Sequence, residues 1–144
     1  MNITYTTALT PDELTALRAS VGWDTFDAAQ TTRAIANSAL TLCARDGGLA
    51  VGVTRVLTDY GWIAYINDVI VRPEYQGRGI GRELMTQVIE YINTNISPGQ
   101  SKCVTLMAAR GKEGFYEKFG FARRPNERAG CGMAQWIKVE EAAQ

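Results

Sequence analysis

The stretch Val69-Ile70-Val71-Arg72-Pro73-Glu74-Tyr75-Gln76-Gly77-Arg78-Gly79-Ile80-Gly81 runs an apolar segment into three alternating glycines. It reads as a buried strand, a stop, a glycine-rich turn and a helix start. Arg72-Pro73 ends the strand, because proline has no N–H to give to a ladder. Ile80, Leu84, Met85, Val88, Ile89 and Ile92 then share one face of a long helix. Glycines at 77, 79 and 81 let successive backbone N–H groups converge on an anion without side-chain obstruction. The helix beginning there adds its own free N–H groups and the positive end of its dipole. Arg78 and Arg82 bring the full positive charge that a diphosphate attracts. Two other phosphate loops are excluded. No Gly-Lys-Ser/Thr tripeptide occurs, and the third glycine of a dinucleotide fingerprint would fall on Arg82.

Upstream, residues 2–9 alternate weakly and read as a first strand. Thr10-Pro11-Asp12-Glu13 follows as a helix start, with a threonine cap, proline at the first position and glutamate completing a capping box. A second, weaker helix is expected over about 26–38. Leu40 to Ala44, Leu49 to Leu57 and Trp62 to Val71 then read as an antiparallel meander, turned at Asp46-Gly47-Gly48 and Asp59-Tyr60-Gly61. Downstream, Val104 to Ala108 is a further strand, about 112–119 a short helix stopped by Gly120, and roughly 132–139 another strand signal. The expected order is β-α-α-β-β-β-α-β-α-β-β. That order implies an α+β (mixed α/β) domain with a largely antiparallel sheet flanked by helices.

Composition limits what such a domain does. At 144 residues, 46% hydrophobic and 21% charged, the chain is expected to be one globular domain over 1–144. Fifteen basic and fifteen acidic residues cancel, so no electrostatic case exists for nucleic-acid or membrane binding. No apolar run approaches the ~20 residues of a bilayer span. Met1-Asn2-Ile3-Thr4-Tyr5 has no signal-peptide character, and Cys43, Cys103 and Cys131 read as reduced thiols, so a cytoplasmic setting is expected. The chain has no histidine. That removes imidazole base catalysis, and no metal is expected.

The glycine loop fits the Gln/Arg-x-x-Gly-x-Gly/Ala signature of the GNAT superfamily of N-acetyltransferases, with Gln76, Gly79 and Gly81 in its defined positions. Tyr65-Ile66-Asn67-Asp68-Val69-Ile70-Val71 resembles the family's fourth strand. Gly114-Phe115-Tyr116-Glu117-Lys118-Phe119-Gly120-Phe121 resembles its Phe-Tyr-x-x-x-Gly-Phe segment, in the right order and spacing. The resemblance implies a sheet whose fourth and fifth strands splay apart, with the pantetheine arm of acetyl-CoA in the gap. It places Val69, Ile70 and Val71 along that arm, the main chain of Val69 and Val71 bonding its amides. The Val69 N–H would also polarise the thioester carbonyl. Gln76, Gly77, Arg78, Gly79, Ile80, Gly81 and Arg82 would hold the pyrophosphate. Both valine side chains are equally explicable as core.

Tyr116 matches the family tyrosine that protonates or hydrogen-bonds the departing thiolate. A phenol of pKa about 10 gives its proton to a thiolate of pKa about 8.5 at a cost of about 2 kcal/mol, which favours a hydrogen bond with partial transfer. An aromatic residue packed beside Phe115 and Phe119 is the plainer reading of the same position. The sequence departs from the family pattern at Ala109, where many relatives carry asparagine, and at the general base. Asp68 is the nearest carboxylate to the reacting strand, but alternation puts it on the face opposite Asn67 and Val69. It reads as a base or as a residue holding a neighbouring loop, with a water chain as the other route for the proton.

The acceptor side implied by the resemblance includes Trp23, Asp24, Phe26 and Asp27, and the segment from Pro125 to Met133. The expected reaction is transfer of acetyl from acetyl-CoA to a primary amine by direct attack in a ternary complex. The alternative is a catalytically weak acyl-CoA-binding sensor or interaction module. Relatives commonly form homodimers, which this chain leaves unreadable.

Overall fold

The structure, a computed structural model, describes residues 1–142, which divide into a unit spanning Met1–Leu106 and a second unit beginning at Met107. The first unit is built on a five-stranded sheet of β1 (Ile3–Thr6), β2 (Leu40–Asp46), β3 (Leu49–Thr58), β4 (Ile63–Val71) and β5 (Cys103–Leu106), in that spatial order. The first three pairings are antiparallel and β4–β5 is parallel. A parallel pair needs a crossover, and the helix α3 (Ile80–Thr94) lies in that connection.

Helix α1 (Pro11–Ser20) starts as its sequence dictates: the Thr10 hydroxyl accepts the Glu13 N–H at 3.1 Å, and the Glu13 carboxylate accepts the Thr10 N–H at 3.0 Å. Helix α2 (Ala28–Ala36) is capped by Asp27, whose side chain accepts the Gln30 N–H at 2.7 Å. Leu14 and Leu17 of α1 pack with Cys43, Ala50, Val53 and Ile70 in the core. On α3, Ile80, Leu84, Met85, Val88 and Ile92 are buried. Each large apolar side chain buried in this way contributes about 1.5–3 kcal/mol.

Gly52 decides how closely α3 can approach. A methyl group there would lie 3.2 Å from the Ile70 carbonyl and 3.3 Å from both Ile80 and Leu84. With no side chain at 52, the head of α3 settles against β3 beside the end of β4.

The β3–β4 register shifts where Val53 faces Ile70 and Arg55 faces Asn67. Two residues of β4, Asp68 and Val69, therefore oppose Thr54 alone. This is a bulge, and Asp68 takes the left-handed conformation that it requires, with φ +56°. Burial still alternates along β4: Ala64, Ile66, Asp68 and Ile70 face the core, whereas Tyr65, Asn67, Val69 and Val71 are half-buried.

The second unit holds α4 (Glu113–Glu117) and turns. No strand forms among its described residues, which corrects the expectation of two strands after the last helix. The Asn126 carboxamide accepts the N–H groups of Arg128 and Ala129, at 2.9 and 3.0 Å, and bends the chain there. Beyond it Met133, Ile137 and Val139 are exposed, and the strand signal over 132–139 meets no ladder among the described residues.

Candidate active site

Pairing of β4 with β5 runs from Ile63↔Cys103 to Ile66↔Leu106 and stops. From Asn67 onward β4 has β3 as its strand partner and nothing on the other side among the described strands. The Arg72 N–H donates to the Val51 carbonyl at 2.8 Å, so the amide edge of Arg72 faces β3. Alternation turns the N–H and C=O of Val71 the other way, and those of Val69 with them. Two main-chain donors thus lie along the side that β5 leaves.

Beyond β4 the chain makes a short 3-10 turn at Pro73–Tyr75. The Tyr75 hydroxyl donates to the Asp46 carboxylate at 2.7 Å, and Arg72 Nε to the Ala50 carbonyl at 2.8 Å, so the turn is pinned to β2 and β3. The Gln76 carboxamide folds back and donates to the Val71 carbonyl at 2.9 Å. Gly77 and Gly79 both sit at positive φ, +78° and +85°, and a Cβ at either would point into open space. Gly79 is the N-cap of α3 and offers no capping side chain. The first-turn N–H groups, at Ile80, Gly81 and Arg82, are left for an external acceptor. Ile80 is buried and fixes the turn, while Arg78 and Arg82 are exposed beside it. The Arg78 guanidinium lies over the Tyr75 ring, 5.2 Å from its centroid.

Asp68 occupies the bulge with its side chain 1% exposed. One carboxylate oxygen is ion-paired with Arg18 of α1; the other accepts Arg55 Nε at 2.6 Å. Both oxygens are therefore spent on guanidinium groups in the core. Neither arginine was singled out by motif. The available signal was a lone charge in each of two apolar runs, Leu14–Val21 and Leu49–Leu57, in a protein whose next strand carries one inward-facing carboxylate.

In the first unit, Trp23, Asp24 and Phe26 line the α1–α2 loop, where Arg18 Nε donates to the Asp24 carbonyl at 2.6 Å. The Arg18 guanidinium also lies 5.4 Å from the Trp23 ring centroid and 5.2 Å from that of Phe26. Asp27 is accounted for by its cap.

In the second unit, Tyr116 lies on α4 and is 9% exposed. Its ring meets Phe115 edge-on at 5.0 Å and Phe121 at 6.5 Å. Burial pushes the phenol above its ordinary value of 10. No hydrogen-bond partner holds its hydroxyl among the described residues. The turn Ala109–Lys112, closed by a 2.9 Å bond from the Lys112 N–H to the Ala109 carbonyl, carries an exposed Arg110. The described residues contain no group of three or more acidic or cysteine side chains able to hold a metal. They also contain no helix long and apolar enough to cross a membrane.

The family model for the acetyltransferase (GNAT) domain matches residues 8–136, and the chain belongs to that family. It is 30% identical over 118 residues to an uncharacterised N-acetyltransferase, ycf52, of Pyropia yezoensis, covering 79% of this chain and 66% of the relative. The match to the ycf52 protein of Porphyra purpurea covers 41% of that relative, so the chain spans less than two thirds of the curated relatives it matches. Among solved structures, a probable acetyltransferase of unknown function from meticillin-resistant Staphylococcus aureus superposes with a TM-score of 0.81 at 27% identity, covering 96% of this chain and 98% of that one. A GNAT family acetyltransferase from Streptococcus pneumoniae gives 0.74 at 26%, with the same coverage. The mixed sheet flanked by helices is the fold of that family.

Proposed function

We propose that this domain transfers the acetyl group of acetyl-CoA to a primary amine, of a small molecule or of a peptide or protein, by direct attack in a ternary complex. The observation that carries the reading is the bare head of α3. Gly79 caps it at φ +85° with no side chain over the first-turn N–H groups, directly after a strand with two outward amide edges. A diphosphate fits the first feature, and an arm bearing amides fits the second.

Acetyl-CoA supplies an activated acyl group; the roles we assign to the chain are binding, polarisation and proton handling. The amine nitrogen forms a bond to the thioester carbon as the carbon–sulfur bond breaks. The Val69 N–H stabilises the negative charge on the carbonyl oxygen. Tyr116 donates a hydrogen bond to the leaving sulfur, a role suited to a buried phenol that stays protonated through neutral pH. The amine proton leaves through water. Of the two readings of Asp68, its paired arginines support the structural one. Free Cys43, Cys103 and Cys131 support a reducing, cytoplasmic setting.

The test is acetyl-CoA consumption by the full chain over polyamines, arylalkylamines, aminoglycosides and amino acids. Tyr116→Phe is expected to slow turnover at least about tenfold, a modest share of what general acid catalysis gives, with little change in acetyl-CoA affinity. Unchanged turnover across pH would sink the tyrosine role. Binding of acetyl-CoA with no amine consumed would favour a sensor.

A further inference from the structure

We infer that Arg18 is a positioning residue that makes the α1–α2 loop and the β4 bulge a single mechanical unit, so that contact with an acceptor on the loop is felt at the Val69 N–H. The inference rests on the acetyltransfer reading for its kinetic consequence, and on geometry alone for the coupling itself.

Arg18 spends its guanidinium in two directions. One nitrogen pairs with Asp68, the residue that forms the bulge and directly precedes Val69. Its Nε, on the opposite edge of the fork, donates to the Asp24 carbonyl in the loop at 2.6 Å. The faces of Trp23 and Phe26 lie against the same cation. A planar fork holding two acceptors at once transmits displacement between them, which a flexible ammonium does not.

The far side of Asp68 is gripped as firmly. Arg55 Nε donates to Asp68 at 2.6 Å, while its Nη1 donates to the Ala34 carbonyl at 3.2 Å and to the Ser38 hydroxyl at 3.0 Å. Ala34 lies in the last turn of α2, so both ends of the helical pair converge on one buried carboxylate. The bulge is held from α1 and α2 together. With the Asp24 main chain turned inward to Arg18, the Asp24 carboxylate and Phe26 are exposed on the loop, while Trp23 beside them is half-buried against the core. A cationic amine with an apolar portion is the acceptor chemistry that this surface suits.

The coupling is tested without turnover by recording the amide resonance of Val69 in full-length protein. Trp23→Leu disturbs the loop while leaving the Arg18–Asp68 pair in place. It is expected to shift the Val69 amide in otherwise native protein, and to leave it unmoved in an Arg18→Gln background. A shift of equal size in both backgrounds, or in neither, overturns the inference. Should Arg18→Gln fail to fold, Arg18→Lys serves, because it keeps the charge opposite Asp68 and loses the Asp24 bond. In kinetics with an amine that the native enzyme consumes, Arg18→Lys is expected to raise the acceptor KM and lower kcat, cutting kcat/KM about tenfold, the scale of one lost charge-assisted hydrogen bond. Acetyl-CoA KM is expected to stay within about twofold, since pyrophosphate binding is sited on the glycine loop. Acceptor kinetics unchanged beside wild-type thermal stability overturn the inference. Absence of any consumed amine counts against the acetyltransfer reading alone, because the resonance experiment still decides the coupling.

Discussion

The side-chain amide of Gln76 donates to the main-chain carbonyl of Val71, 2.9 Å away, and closes the corner between β4 and the glycine turn. The bond ties the strand edge to the first residue of the loop signature. Gln76→Glu removes the donor and sets a carboxylate against a carbonyl oxygen and, in the reading above, near a diphosphate. It is expected to weaken acetyl-CoA binding on the order of tenfold or more, the scale of a lost hydrogen bond plus like-charge repulsion. Gln76→Ala, which only removes the bond, is expected to lose less. Titration calorimetry with acetyl-CoA checks the order; equal losses from the two variants would refute the charge contribution.

Gly79 and Gly22 make a matched pair. Both hold positive φ, +85° and +76°, and both face open space where a methyl group would go. An alanine at either costs about 1–2 kcal/mol of backbone strain. Gly22→Ala and Gly79→Ala are therefore expected to lower thermal stability alike, whereas Gly79→Ala alone weakens acetyl-CoA binding. Thermal unfolding and acetyl-CoA titration of both variants separate conformational strain from obstruction of the cradle.

A third expectation concerns acid. Arg45 pairs with both oxygens of Glu13, at 2.5 and 3.0 Å, and holds its carboxyl at about 2 against an ordinary 4.5, with the Thr10 bonds adding to the effect. A carboxyl whose value is lower in the folded state stabilises fully above its unfolded value and loses that contribution as pH falls towards the folded one. The stability advantage of the native protein over Arg45→Met is thus expected to be on the order of 1 kcal/mol at pH 7, after allowing for solvent screening. It should shrink between about pH 4.5 and 2. Urea unfolding across that range measures it, and a gap independent of pH would contradict the assignment.

What could be read in advance was local. Thr10 and Glu13 find each other across three residues, so the start of α1 was legible, as were Gly79 at the head of α3 and the apolar face from Ile80 to Ile92. The bulge was not. Its left-handed Asp68 lies inside a stretch that reads as one continuous strand, and its partners are 50 and 13 positions away in sequence. Without those partners, a carboxylate one residue from Val69 reads as a candidate base as readily as an anchor. The segment over 132–139 misled for the reverse reason: Trp136, Ile137 and Val139 give it the composition of a strand, but composition does not supply a neighbour. Met133 and Val139 are each about nine-tenths exposed, and no strand among the described residues completes the pairing.

The end of β4–β5 pairing at Ile66 and Leu106 has a practical side. A strand with one bare edge is a template for any extended chain, and native proteins usually guard such edges. An arm carrying two amides is chemically a short piece of such a chain. In the acetyl-CoA reading proposed above, donor and stray polypeptide compete for the same hydrogen bonds. On that reading, protein handled with acetyl-CoA is expected to aggregate less than protein stripped of it, because the bound donor would block the edge.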